Sequence, residues 1–246
     1  MLMNKYENTF ERLDKILAKA AALSRKEAKR AALSGRITVD GVIVRSPEQK
    51  IPVSSIICLD GKVLVYNEYI YLMLNKPEGY VCANDDPKSP NVFELLGDEY
   101  KKDDLFTVGR LDKYTTGLLV ITNNGPLAHF LLSPKRHVEK KYYLRSKFPL
   151  TDEDVNAFFN GVDIGEKDIT KSACLEICVD NYSAYLTITE GKFHQIKRML
   201  DLRDNKVTSL KRVTFGPLEL DPFLSAGNYR QLTDNEVKLL LTAVEK

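Results

Sequence analysis

The chain has 246 residues, enough for one large domain or for a small domain followed by a medium one. Its 43% hydrophobic and 28% charged residues are typical of globular proteins and exclude a chain that is disordered throughout. No apolar run reaches the roughly 18 residues of a membrane-spanning helix, and we expect the polar N-terminus not to be a secretory signal. The four cysteines lack the C-x-x-C spacing of zinc and redox sites, so we expect a cytoplasmic protein without a metal. We also expect no cofactor and no membrane partner.

The formal net charge of +2 says little about partners, but the charge is unevenly distributed along the chain. Residues 1–66 carry a net charge of +5, whereas the remaining 180 residues carry −3. A basic segment attached to a nearly neutral body is typical of a docking module for nucleic acid. It is equally typical of an ordinary solvated basic surface, so charge alone leaves both interpretations open.

The basic segment has the pattern of two helices and two hairpins. Apolar residues at 13, 16, 17 and 20 predict an amphipathic helix over 12–21. Ser24 and Glu27 have the spacing of a capping box, which predicts a second helix that ends near Gly35. Two Asp-Gly pairs predict hairpin turns between β-rich runs, at 37–39 and 42–44 and at 56–59 and 62–65.

The same segment contains, in order, Arg-Leu-Asp-Lys, Ser-Arg-x-x-Ala and Gly-Arg-Ile-Thr-Val-Asp-Gly. With these it resembles the small S-four-like RNA-binding domain, an α/β module. The resemblance implies RNA docking through four basic residues, Arg25, Lys26, Lys29 and Arg36. Cations on one helix face can contact successive phosphates, which agrees with this implication. The alternative is a solvated helix with ordinary i,i+4 charge pairs.

A polar stretch at 66–69 is the expected joint, which gives an N-terminal domain at 1–66 and a second domain at 67–246. An apolar strand over 70–77 and a turn-rich, exposed loop at 83–90 open the second domain. Further predictions are a short helix at 92–96, strands at 118–121, 141–144, 173–179 and 184–189, and helices at 126–132, 152–160, 195–202 and 234–244. Because strands and helices do not alternate strictly, we expect an α+β fold with a mixed, largely antiparallel β-sheet.

Asp112 is the first candidate for chemistry. It lies in a glycine-bounded loop just before an apolar strand, a usual place for a catalytic side chain held by a rigid scaffold. From chemistry alone, an aspartate here could be a nucleophile, a base, a metal ligand or a loop cap, and a loop cap is the commonest of these.

Three stretches in chain order resemble the motifs of the RsuA/RluA family of pseudouridine synthases. They are Gly109-Arg110-Leu111-Asp112-x-x-Thr115-x-Gly117-Leu118-Leu119, the segment with Lys140 and Tyr142, and the segment from Glu190 to Met199. Residues 75–87 resemble the branch of the family that modifies small-subunit ribosomal RNA. Asn124 departs from the aspartate common in the family, but asparagine serves a turn equally well.

The resemblance implies the isomerisation of one uridine in RNA, which must first be flipped out of its stack. Asp112 is then implied as the carboxylate that attacks, or stabilises charge at, the glycosidic region, and Lys197 as the cation that keeps it ionised. Tyr142 is implied to stack on the freed base and to relay a proton. Without the motifs, Lys197 would be an ordinary surface lysine and Tyr142 a core aromatic.

Further RNA contacts are implied for Arg110, Lys140, His194, Gln195 and Ile196. For Arg110, bridging a phosphate and simply pinning the loop remain open alternatives. We expect His194 to contact backbone or phosphate and not to act as a base.

A second Arg-Leu-Asp triplet ends at Asp14, but it lacks the flanking glycine and the Thr-x-Gly sequel, so we interpret Asp14 as structural.

The resemblance implies a cofactor-free isomerase that acts on 16S ribosomal RNA, at position 516, either free or in the assembling small subunit, and we expect it to be a monomer. A sister synthase acting on 23S ribosomal RNA and a non-catalytic RNA-binding assembly factor are the alternatives. An enzyme is favoured over a binder because Asp112, Tyr142 and Lys197 are all present, and a binder has no need of the set.

Overall fold

A computed structural model of the protein describes residues 10–21, 23–64, 66, 69–83, 89–100 and 104–243. The chain divides into two compact units, Met1–Glu68 and Tyr69–Lys246. Both contain helices and mostly antiparallel strands, so the predicted α+β fold is confirmed. Within the described ranges, no helix has the length and apolar character needed to cross a membrane.

The first unit packs two helices against short strands. Its elements are β1 (Phe10–Arg12), α1 (Leu13–Ala20), α2 (Arg25–Leu33), β2 (Ile37–Val39), β3 (Val42–Ile43), β4 (Lys50–Pro52), β5 (Ile57–Leu59) and β6 (Lys62–Leu64). A four-stranded antiparallel sheet has the order β3-β2-β5-β6, and β1 pairs with β4. The apolar face of α1, with Leu13, Ile16 and Leu17, is fully buried in the core of this unit.

Local sequence signals explain where these elements begin and turn. The Ser24 hydroxyl accepts a hydrogen bond from the Glu27 backbone N–H at 3.3 Å, and the Glu27 carboxylate accepts one from the Ser24 N–H at 2.8 Å. The predicted capping box therefore begins α2. Between β2 and β3, Asp40 and Gly41 have φ angles of 50° and 83°, the left-handed pair that a two-residue hairpin turn requires.

The second unit is built on one large sheet. Its elements are β7 (Tyr71–Lys76), β8 (Phe106–Val108), β9 (Thr116–Thr122), α3 (Gly125–Leu132), β10 (Lys140–Ser146), α4 (Asp152–Asn160), β11 (Cys174–Ile177), β12 (Ser183–Ile188), α5 (Gln195–Asp201), β13 (Val207–Phe215), β14 (Leu218–Glu219), β15 (Tyr229–Gln231) and α6 (Asp234–Ala243). The strand order is β11-β12-β10-β13-β9-β7-β15, with β14 beside β13 and β8 beside β9. The pairing of β13 with β9 is parallel and the other pairings are antiparallel, so the sheet is mixed and largely antiparallel, as predicted.

The central strand β9 is buried on both faces. Leu119 and Ile121 belong to the core on one face of the sheet, and Leu118 and Val120 belong to the core on the other. Successive side chains of a strand point to opposite faces, so burial on both requires the continuous apolar run that identified this strand in the sequence.

Most predicted elements of the second unit are present, with small shifts at their ends. The prediction was incomplete at β8, β13, β14 and β15, which were not expected. The segment expected as a short helix at 92–96 is a 3₁₀ turn over Val92–Leu95. The first helix begins at Leu13, since Arg12 is still extended with ψ at 135°. Three predicted features extend beyond the described residues, namely the joint at 66–69, the loop at 83–90 and the last helix, at its residue 244.

Candidate active site

Asp112 lies in the loop that joins the antiparallel strands β8 and β9. The Thr115 N–H donates to the Asp112 carbonyl at 3.0 Å, which closes the turn at this residue. Leu111 is buried, and its N–H and carbonyl contact the Cys82 Sγ at 3.4 and 3.5 Å. The Asp112 side chain remains 29% exposed. The loop therefore fixes the backbone and leaves the carboxylate open to a ligand.

A fully buried lysine supports the same loop. Lys76 ends β7, and its Nζ donates to the carbonyls of Pro77 at 3.1 Å, Lys113 at 3.2 Å and Thr115 at 2.9 Å. An ammonium has three donors, and all three are satisfied by backbone oxygens. Lys76 thereby connects the end of β7 to the loop on both sides of Tyr114.

Burial also changes the protonation equilibrium of Lys76. Desolvation lowers its pKa from 10.5 to about 8, although the charges of Cys82, Asp112 and Glu78 oppose the shift. Below pH 8 the ammonium is charged in the folded and the unfolded chain, and the cost of burying it is fully present. Between about pH 8 and 10.5 the unfolded chain binds more protons, so the contribution of Lys76 to stability rises with pH in this window.

Two side chains at the beginning of α5 contact the Asp112 carboxylate. Lys197 Nζ donates to Asp112 Oδ2 at 2.8 Å, and both side chains are 29% exposed. His194 Nε2 lies 3.5 Å from Asp112 Oδ1. A hydrogen bond between an ammonium and a carboxylate is charge-assisted, so this bond orients the Asp112 side chain.

The turn before α5 places these side chains. His194 is in the left-handed conformation, with φ at 49° and ψ at 31°. Gln195 is buried, and its side chain accepts from the Lys192 N–H at 2.9 Å and donates to Glu190 Oε1 at 2.9 Å. The Gln195 amide therefore holds the turn from inside, and its role here is structural support of the backbone.

Tyr142 reaches the same region from the sheet. It is on β10 between β12 and β13, and it is 7% exposed. A cavity of about 90 Å³ is lined by residues from the aspartate loop, the sheet and the start of α5. Six of the residues singled out in the sequence line it, namely Arg110, Asp112, Tyr142, His194, Gln195 and Ile196.

Two other predicted residues of the second unit do not line this cavity. Lys197 reaches it only through its ion pair with Asp112. Lys140, at the start of β10, donates to the Val138 carbonyl at 2.6 Å, and burial lowers its pKa to about 8. Its ammonium is thus engaged by the chain itself.

Sequence reasoning missed several lining residues. Ile188 and Leu210 contribute from β12 and β13, and only the strand order shows that these strands flank Tyr142. Thr115 stood in the aspartate motif but was not singled out. Its hydroxyl is buried without a hydrogen-bond partner among the described residues, as is Nη2 of Arg212 on β13.

In the first unit, the basic face of α2 borders a groove of about 530 Å³. Arg25, Lys26 and Lys29 line it, and Lys29 Nζ is 3.7 Å from a Glu48 oxygen. Arg36 lies apart from this groove, and its guanidinium forks onto the Asp60 carboxylate with one bond of 2.8 Å. Arg12, Asp14 and Lys15 complete the lining, and Asp14 is bound by Arg12 at 2.8 and 3.0 Å.

Among the residues that the structure describes, no three His, Cys, Asp or Glu side chains cluster as metal ligands would. The cysteines Cys58, Cys82, Cys174 and Cys178 are free.

Comparison with known proteins identifies both units. A family model described as RNA pseudouridylate synthase matches residues 70–202, and a model of the S4 domain matches residues 11–57. A Bacillus subtilis (strain 168) protein named as an uncharacterized RNA pseudouridine synthase, YtzG, is 42% identical over 93% of this chain and 98% of its own length. The ribosomal small subunit pseudouridine synthase A of Escherichia coli (strain K12) is 41% identical over 92% of this chain and 98% of its own length.

A solved structure agrees with these matches. A crystal structure described as a pseudouridylate synthase is 39% identical, has a TM-score of 0.66, and covers 93% of this chain and 99% of that one. The chain therefore belongs to the RNA pseudouridine synthase family, with an S4 domain ahead of the synthase domain. The prediction of an RNA pseudouridine synthase from the sequence is confirmed.

Proposed function

We propose that the protein converts a uridine of 16S ribosomal RNA to pseudouridine, at position 516, in free RNA or in the assembling small subunit. The observation that carries this proposal is the Asp112 carboxylate, which is held 2.8 Å from the Lys197 ammonium at a cavity shared with Tyr142. Relatives named ribosomal small subunit pseudouridine synthase A, similar over 92% of the chain, support the small subunit as the source of the RNA.

The reaction is an isomerisation and balances without a co-reactant. The bond from uracil N1 to ribose C1′ breaks, the base rotates, and a bond from C5 to C1′ forms. The proton that leaves C5 is matched by the one that N1 gains. The chain has only to hold the base, stabilise charge and move protons, and these tasks need no cofactor.

Asp112 is the proposed nucleophile, whether it attacks the sugar or the ring. The Lys197 ammonium, 2.8 Å from Oδ2, pairs with this carboxylate and orients it for attack. The 29% exposure of both side chains leaves a path for an extruded nucleotide. Flipping the nucleotide out of its stack costs a few kcal/mol, which RNA contacts elsewhere must offset.

Tyr142 is the proposed platform for the uracil ring and the relay for the C5 proton. Its place in the cavity beside Asp112 supports both roles. Ile196 supplies an apolar surface to the same cavity, while Arg110 and His194 supply groups that can contact the RNA backbone. Gln195 is a weaker candidate, because its buried amide is already bound to the Lys192 N–H and to Glu190. Lys140 is a weaker candidate for an RNA contact, because its ammonium already donates to the Val138 carbonyl.

The two domains divide the work in this proposal. Residues 1–66 dock the RNA through Arg25, Lys26, Lys29 and Arg36, and residues 67–246 carry out the isomerisation as a monomer. The groove lined by the α2 cations supports the docking role, since clustered cations bind phosphates with release of counterions. The free cysteines support a reducing compartment such as the cytoplasm.

The proposal is tested by mapping pseudouridines in ribosomal RNA from cells with and without the gene. Loss of a single 16S pseudouridine at position 516, restored by the cloned gene, is expected. Purified protein should form the same modification in unmodified 16S RNA or in subunit precursors, and comparing the two identifies the particle that it recognises.

Other outcomes would contradict parts of the proposal. Loss of a pseudouridine from 23S RNA would refute the choice of subunit and leave the chemistry intact. An unchanged ribosomal RNA map, together with normal RNA binding by the purified protein, would favour the non-catalytic assembly factor.

A further inference from the structure

An exposed aromatic pair lies beside the Asp112 carboxylate. The Phe193 ring stacks on the His194 imidazole, with centroids 3.9 Å apart and planes inclined by 18°. Nε2 of the same imidazole is 3.5 Å from Asp112 Oδ1. Phe193 is 70% exposed, so the face of its ring opposite His194 is open to solvent.

A single exposed phenylalanine is common on protein surfaces, but this one is held in place. The Phe193 carbonyl accepts a hydrogen bond from Arg198 Nη1 at 3.1 Å. On the other side, the Lys192 N–H is bound by the buried Gln195 side chain, which is itself anchored on Glu190. The ring is therefore presented on a fixed turn, which lowers the entropy cost of using it in binding.

The chemistry of the enzyme creates a need for such a ring. When a uridine is flipped out towards Asp112, the bases on either side of it lose a stacking partner. Stacking on an aromatic side chain compensates for that loss and is worth about 5- to 150-fold in affinity per base. It is tolerant of sequence, because every base has a π face.

We propose that Phe193, backed by His194, is a stacking platform for a base adjacent to the flipped uridine. The proposal rests on the function proposed above, in that the ligand is the RNA strand that carries the substrate uridine. The stack would have three layers, with the RNA base on Phe193 and Phe193 on His194. His194 thus contributes to binding through its ring as well as through its proximity to Asp112.

The test uses the full chain and a synthetic RNA that contains the uridine which the wild-type protein modifies. Single-turnover rates measured against enzyme concentration give Kd and the maximal rate separately. Phe193→Leu is expected to raise Kd by about 5- to 150-fold while the maximal rate stays within about twofold. Phe193→Trp, which keeps a ring, is expected to restore Kd. Phe159→Leu serves as a control at a 66% exposed phenylalanine on another helix, α4.

An abasic nucleotide placed beside the uridine, on the 5′ side or on the 3′ side, tests the contact itself. If Phe193 stacks on that base, the abasic RNA binds the wild-type protein weakly and Phe193→Leu weakens it no further. If the abasic nucleotide and Phe193→Leu instead weaken binding by independent factors that multiply, at the 5′ and at the 3′ side alike, the proposal is overturned. The slope of log Kd against log salt should be the same for the Phe193→Leu and wild-type proteins, because stacking releases no counterions.

Three further results would also refute the platform. An unchanged Kd in Phe193→Leu would show that the ring does not contact RNA. A lower maximal rate with an unchanged Kd would show that Phe193 only supports His194 at Asp112. A loss seen with subunit particles and not with the synthetic RNA would point to a protein partner. Failure of the proposed function is recognised separately, because the wild-type protein would then form no pseudouridine in any RNA tested.

Discussion

Replacing Gly117 with alanine would place a methyl group against the backbone of the neighbouring strand. Gly117 is on β9, where it pairs with Arg212 of β13 on one side and with Lys76 of β7 on the other. Its φ angle is 100°, and an added Cβ would lie 2.2 Å from the Arg212 carbonyl oxygen and 2.9 Å from the Arg212 nitrogen. Backbone atoms in the middle of a sheet cannot move aside as a side chain can.

Two costs add in this variant. A non-glycine residue at such a φ angle costs about 1–3 kcal/mol. Forcing a methyl group into a packed interior costs about another 1–3 kcal/mol. We therefore expect Gly117→Ala to lower the free energy of unfolding of the second unit by about 2–6 kcal/mol, a large part of the total for a typical domain.

The assay is urea unfolding followed by circular dichroism, since the chain has no tryptophan. With a slope of about 2 kcal/mol per molar urea, the midpoint should fall by about 1–3 M. Gly79→Ala is the matched control, because Gly79 has a similar φ angle of 91° and nothing within 4 Å of an added Cβ. It should show the conformational cost alone, about 1–3 kcal/mol.

The difference between the two variants measures the steric contact between β9 and β13. That contact positions the aspartate loop, which ends where β9 begins, relative to the sheet that carries Tyr142. If Gly117→Ala is no less stable than Gly79→Ala, the close approach of these strands is not what holds the loop.

Three further predictions concern charged side chains. Lys197→Met should slow pseudouridine formation at least about tenfold under single-turnover conditions, because Asp112 loses its ammonium partner. Lys197→Arg should retain most of the rate. Equal rates for the wild-type protein and both variants would count against a role for the ion pair. The double variant Lys26→Gln with Lys29→Gln should bind RNA more weakly, and the slope of log association constant against log salt should become shallower by about 1–2. An unchanged slope would show that these cations do not contact phosphates. In the wild-type protein, the buried Lys76 should raise the free energy of unfolding by up to about 3 kcal/mol between pH 8 and 10.5. Lys76→Met should abolish this rise, which is measured as the difference between the pH profiles of the two proteins. Parallel profiles would contradict the burial of a charged ammonium.

Elements with local signals were predictable from the sequence. The capping box at Ser24 fixed the start of α2, and the apolar run at 118–121 identified β9, because each signal acts within a few residues. The nine-residue strand β13 had no such signal, since Thr, Ser, Lys and Arg interrupt its apolar residues. It is a strand because β10 and β9 lie on either side of it, and those partners are distant in sequence.

Part of the candidate site was also predictable from the sequence. Ordered motifs pointed to Asp112, Tyr142 and Lys197, and the structure places all three in one region. The support of the loop by Lys76 was not predictable, because a lysine at the end of an apolar strand gives no sign that its ammonium is fully buried. The bond from Lys140 to the Val138 carbonyl likewise depends on a backbone turn that residue types do not specify.

One pair of variants tests whether the Asp112 carboxylate carries out the isomerisation. Asp112→Asn keeps the size of the side chain and removes its charge, while Asp14→Asn makes the same change in the Arg-Leu-Asp triplet of the first unit. With saturating enzyme in a single turnover, we expect Asp112→Asn to form no pseudouridine while it binds RNA within a few-fold of the wild-type Kd. Asp14→Asn should retain the maximal rate. Pseudouridine formation by Asp112→Asn at the wild-type rate would show that the isomerisation does not need this carboxylate.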